Sequence, residues 1–78
     1  MKKFKITWGR GSVLKIDDIF DTKIVEAKDI DSIDPLIILP KQMLKIVYYT
    51  RVIHTSDTKR NVDYGNYVNF IEIEEIKN

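Results

Sequence analysis

The longest uninterrupted β-type run in the chain is residues 43–54, Met-Leu-Lys-Ile-Val-Tyr-Tyr-Thr-Arg-Val-Ile-His, and it limits what the rest can fold into. Val, Ile, Tyr and Thr crowd it, and it holds no Gly, Pro, Asp or Asn. Residues of this kind suit a pleated, half-buried surface, so the run predicts a long central strand around which shorter elements assemble.

The segments on either side read as further strands. Phe4, Ile6 and Trp8 alternate with Lys3, Lys5 and Thr7, the pattern of a strand with one face in a core. Gly9-Arg10-Gly11-Ser12 reads as a tight turn, and residues 13–16 as the returning strand of a hairpin. Asp17 and Asp18 end that strand, residues 19–21 form a short connection, and residues 22–28 are a third strand. Residues 29–40 carry helix-start signals. Asp31, Ser32 or Asp34 can cap, Pro35 suits a first turn, and Pro40 closes any helix within about one turn. One short helical turn follows from this, with a buried strand over residues 36–39 as the alternative.

Residues 55–61 form a polar turn, Gly65 marks a second turn or bulge, and residues 67–76 are the last strand. In that strand Ile71 and Ile73 face inward while Glu72 and Glu74 face outward. The last strand should pair with residues 43–54 as an antiparallel hairpin. Its glutamates also suit Lys3 and Lys5, which makes the two terminal strands neighbours and nearly closes the sheet. The expected fold is α+β, mainly antiparallel β: a small curved sheet or partly closed barrel of four to five strands with one short helix.

With 78 residues the chain has room for one domain with a small core. It has no cysteine, which excludes disulfides and thiolate metal sites. No apolar run approaches the ~18 residues that span a bilayer, and the basic start leads into alternation rather than a signal-peptide core. The cytoplasm is the expected location, with no membrane partner. Net charge is +1, so no global field favours nucleic acid. The distribution is uneven: residues 1–15 carry five bases and no acid, whereas residues 17–34 carry seven acids against two lysines. Adjacent strands of opposite charge explain this without a ligand. The chain is rich in Ile and Lys and has one alanine, the style of an AT-rich genome. With the short length, that style fits an accessory protein of a phage or mobile element.

Catalytic and metal constellations are weak. His54 is the one histidine, and Ser56 and Asp57 lie in the same turn rather than on separate elements. Asp29 and Asp31 fall at the first and third positions of a calcium-type loop, but the central glycine and the closing glutamate are missing. Gly9-Arg10-Gly11-Ser12 lacks the Lys-Ser/Thr ending of a phosphate loop. No cofactor is implied, and the chain is not expected to be an enzyme.

The aromatic set is the stronger signal. Tyr48 and Tyr49 are consecutive, so in a strand one of them lies off the main core. Tyr49 would share a face with Lys45 and Arg51. An aromatic between two cations suits a protein hot spot, and equally a platform on which single-stranded bases stack. The expected site is therefore Lys45, Tyr49 and Arg51, with Arg10, Tyr64 and Tyr67 at the turns. The expected function is a non-catalytic protein-interaction module, of the kind a phage or mobile element uses to bind and block a host protein. The alternative is a small barrel that binds single-stranded nucleic acid through the same face. A homodimer through an exposed strand edge stays open.

Overall fold

The computed structural model describes residues 1–12, 14–66 and 69–77. Five strands form one antiparallel sheet: β1 (Lys2–Ser12), β2 (Lys15–Ala27), β3 (Arg51–Ser56), β4 (Lys59–Asp63) and β5 (Phe70–Glu75). Their order across the sheet is β2-β1-β5-β4-β3, so β2 and β3 are free edges and the sheet is not closed. Between β2 and β3 the chain makes a 3-10 turn (Ile30–Ser32), one turn of α-helix, α1 (Pro35–Ile38), and a second 3-10 turn (Lys41–Ile46).

These pieces make two layers, because alternation gives the sheet one apolar face. Phe4, Ile6, Ile71, Ile73, Val62 and Tyr64 point to one side, where Ile30, Ile33, Ile38 and Leu39 cover them. Met43 and Val47 pack at the margin of this core. The opposite face is polar, and its rows run across strands. Lys5 faces Glu74, and Glu74 faces Lys59. Thr7 faces Glu72, and Glu72 faces Asn61. Lys59 Nζ lies 3.3 Å from Glu72, a diagonal ion pair on that face. The terminal strands are thus neighbours, as expected, but only the Lys5–Glu74 pair forms: Glu72 meets Thr7 rather than a lysine, and Ile6 lies opposite Ile73 and Trp8 opposite Ile71 on the core side.

Of the expected caps Asp34 starts α1, whereas the first 3-10 turn is capped by Asp29 rather than by Asp31 or Ser32. The Asp29 carboxylate accepts from Ser32 N at 2.9 Å, and Asp34 accepts from Leu36 N at 2.9 Å with Pro35 at the first helical position. Each bond satisfies a donor that a helix start leaves orphaned.

Residues 43–54 do not form a long central strand. Their first part belongs to the second 3-10 turn, residues 47–50 are irregular, and only Arg51–Ser56 is a strand, at the edge of the sheet. Pro40 starts that turn, and Met43 and Val47 serve the cover layer rather than a ladder, so tertiary burial overrides β-propensity. The expected hairpin between this run and the last strand is also absent. β4 lies between β3 and β5, where the sequence reads as a polar turn.

The first hairpin is longer than expected as well. Gly9 and Gly11 lie inside β1, and residues 17–21 continue β2 rather than ending it. A Cβ at Gly9 would collide with the carbonyl of Asp18, and one at Gly11 with the carbonyl of Lys15. The glycines therefore allow close backbone approach at two register shifts, not a turn.

Candidate functional site

The exposed aromatic surface is built on residues 47–50, which leave the second 3-10 turn and lead into β3. Their backbone is pinned to the end of β4: the N–H groups of Tyr48 and Tyr49 both donate to Tyr64 O, at 3.0 and 3.5 Å. Gly65, with φ +87°, turns the chain directly beneath them. A Cβ there would lie 2.8 Å from Tyr48 Cβ and 3.0 Å from the Tyr49 ring, so only glycine lets the two tyrosines approach this closely. The rings remain largely in solvent, Tyr48 at 74% and Tyr49 at 52% exposure.

Asp63 organises the rest of this surface. Tyr49 Oη and Arg51 Nη2 each donate to Asp63 Oδ2 at 3.2 Å, and Gly65 N donates to Oδ1 at 2.9 Å. Tyr49 and Arg51 are therefore brought together, as their proximity in sequence suggests, but through a shared carboxylate rather than through strand alternation. Lys45 lies in the last turn of the second 3-10 segment and is exposed. The expected stripe of an aromatic between two cations on one strand face is not formed, because no strand spans residues 45–50. Arg51's charge is matched by Asp63.

The surface continues across the polar face. Arg51, Asp63, Phe70 and Gly9 face one another in a row over β3, β4, β5 and β1. A shallow cleft of about 310 Å3 follows that row, lined by Tyr49, Asp63, Gly65, Phe70, Gly11 and Ser12. On the side of β1 to which Trp8 points, Arg10 stands over the Phe20 ring at 5.7 Å, and Trp8 meets Phe20 edge-on with centroids 4.9 Å apart. Trp8 Nε1 donates to Asn69 Oδ1 at 3.1 Å, which fixes the indole. Sequence reading missed the Trp8–Phe20 contact, because it placed Phe20 in a connection rather than across from β1.

Tyr64 has a different place from the one expected. Its side chain is fully buried, and its hydroxyl donates to Pro35 O at 2.6 Å, tying the sheet to α1. Burial, with the Asp34 carboxylate nearby, pushes that hydroxyl well above the usual tyrosine range. Tyr67 lies outside the described residues.

His54 is exposed on edge strand β3 and faces Arg60. Among the described residues it makes no hydrogen bond to Ser56 or Asp57. Ser56 serves the turn instead, its Oγ accepting from Thr58 N at 3.3 Å and its carbonyl from Arg60 Nη1. Arg60, nearly buried, also pairs with Asp31 at 3.2 Å, so that aspartate of the acidic stretch is an ion-pair partner, as Asp17 is of Lys15. Among the described residues no three acidic or histidine side chains gather as metal ligands would. Among them also, no helix is long and apolar enough to cross a membrane.

No protein-family model matches the chain, no curated protein matches it in sequence, and no solved structure matches its fold.

Proposed function

We propose that this chain is a non-catalytic protein-interaction module that works by occupying a surface of a larger protein. The observation that carries the reading is the pair Tyr48 and Tyr49, 74% and 52% exposed and held in place by backbone bonds to Tyr64 O. Tyrosine brings large contact area with few rotatable bonds, and here the backbone beneath the rings is already ordered, so binding costs little further entropy. Arg51 and Arg10, though on different faces of the sheet, add to this reading: each is exposed and already oriented, by Asp63 and by the Phe20 ring. In this reading the protein blocks its partner rather than transforming it. The Ile- and Lys-rich composition favours a phage or mobile element acting on a host protein in the cytoplasm.

The test is capture from cell lysate by immobilised wild type and by a Tyr48→Ala, Tyr49→Ala double variant, each with and without nuclease. The reading expects a protein that survives nuclease and is lost from the variant. Nucleic acid retained instead, released steeply by added salt, would replace it with single-strand binding. A variant that captures everything the wild type does would remove the tyrosine pair from the site.

A further inference from the structure

The longest strand of the sheet is also a free edge. Among the described residues β2 has β1 on one side only, and along its 13 residues the side chains are mostly exposed. Its two halves differ. Opposite the steps Trp8/Gly9 and Arg10/Gly11 the register slips, leaving Phe20 and Asp17 as extra residues in β2. Bulges of this kind, with the acids beside them, are devices that keep an edge from pairing. From residue 21 to residue 27 there is no slip: each residue faces one partner in residues 2–8. The outward row of N–H and C=O groups there is regular, and Ile24 stands on it at 56% exposure.

Two grooves open between this half of β2 and the helical cover. One, about 60 Å3, is lined by Trp8, Asp21, Thr22, Lys23, Ile38 and Pro40. The other, about 230 Å3, is lined by residues that include Val25, Ala27, Ile33, Asp34 and Ile37. Ile38 borders both. Along β2 they centre near Thr22 and Glu26, roughly 13 Å apart at strand rise. In an added strand, residues i and i+4 point to the same face at that same spacing, with i+2 between them over Ile38. Ile37, exposed at 76% on α1, would close over the larger side chain.

Charge identifies the occupant. The smaller groove is balanced, with Asp21 and Lys23 both in its lining, whereas Glu26 and Asp34 line the larger one with no lysine or arginine among its described lining residues. A second copy of β2 would bring the same acid-rich strand to this edge. A basic segment would be drawn to it.

We infer that residues 21–27 of β2 accept an extended segment of a partner protein by strand addition, with a small apolar residue at i, a large one at i+4, and Lys or Arg beside the large one. The ladder supplies the main-chain bonds and the two grooves read the side chains. The inference rests on the protein-binding reading above but uses a different surface from the tyrosine pair.

The probe is the peptide acetyl-Thr-Val-Thr-Ile-Lys-Leu-Lys-amide, titrated into the full chain and followed by amide NMR shifts. Expected are shifts at residues 21–27 and 37–38, binding at least ~5-fold weaker when both peptide lysines are glutamates, and none when alternate peptide nitrogens are methylated. Ile37→Asn should weaken binding several-fold at an unchanged melting temperature, since the side chain is exposed. Shifts confined to residues 48–51, or no shifts with any of the peptides, would overturn strand addition and leave the tyrosine surface standing. Shifts at residues 21–27 that grow with protein concentration alone would overturn the choice of partner and assign the edge to a second copy. If the peptide binds as expected while lysate capture yields no protein, the tyrosine-based reading fails and the edge does not.

Discussion

Tyr64→Phe removes one oxygen atom from the centre of the fold and leaves the ring in place. The hydroxyl donates to Pro35 O at 2.6 Å, and the side chain has no solvent exposure. The variant loses a net hydrogen bond worth about 1 kcal/mol, and it leaves a carbonyl with one fewer partner, which brings the cost to roughly 1–2 kcal/mol. For a domain of this size that lowers the melting temperature by roughly 4–16 °C. The same substitution changes the alkaline response. In the folded state the phenol keeps its proton at pH values where the unfolded chain, with an ordinary value near about 10, releases it. Its contribution is whole below that pH and falls by roughly 1.4 kcal/mol per pH unit above it, until the folded-state value is reached. Urea unfolding followed by circular dichroism, at pH 7 and at steps from pH 9.5 to 11, measures both effects. Wild type should lose stability faster than Tyr64→Phe above about pH 10, so that the two curves converge. A variant as stable as wild type at pH 7, with a parallel alkaline slope, would refute the buried bond.

Three further outcomes follow from the sheet. Lys5→Glu sets like charges opposite Glu74 and should cost roughly 0.5–1 kcal/mol at low salt, shrinking as salt screens the pair; thermal melts at low and high salt check it. Gly9→Ala drives a methyl group into the Asp18 carbonyl and should destabilise by roughly 1–3 kcal/mol in the same assay. His54→Ala, at an exposed edge position, should stay within about 0.5 kcal/mol of wild type and keep any captured partner; loss of the partner would bring the histidine into the site.

The parts of this fold that were legible are those where local chemistry and tertiary placement agree. Lys5 and Glu74 mark the pairing of the terminal strands, and Asp34 and Pro35 mark α1, because each acts on its immediate neighbours. The failures have a common cause. Met43 and Val47 are good strand residues used to cover a sheet, and nothing local distinguishes the two uses. Lys59, Arg60 and Asn61 look like a turn, yet β4 is a central strand. Arg60 reaches Asp31 and two backbone carbonyls from the core side, and Asn61 receives the Thr55 hydroxyl on the other. Only the alternation of Val62 and Tyr64 with Asn61 and Asp63 hinted at it. At the site, Tyr49 and Arg51 were found together, but Asp63, the group that joins them, could be seen only once β3 and β4 were paired.

The central claim is that the ordered tyrosine pair contacts a protein. Its most direct test is the dissociation constant of the captured partner for wild type and for Tyr48→Ala, Tyr49→Ala, measured beside the melting temperature of each. Two hot-spot tyrosines predict a loss of at least about tenfold, that is about 1.4 kcal/mol, with little change in melting temperature because both rings are largely in solvent. Equal affinity for the two proteins would contradict the claim and place the contact elsewhere on the molecule.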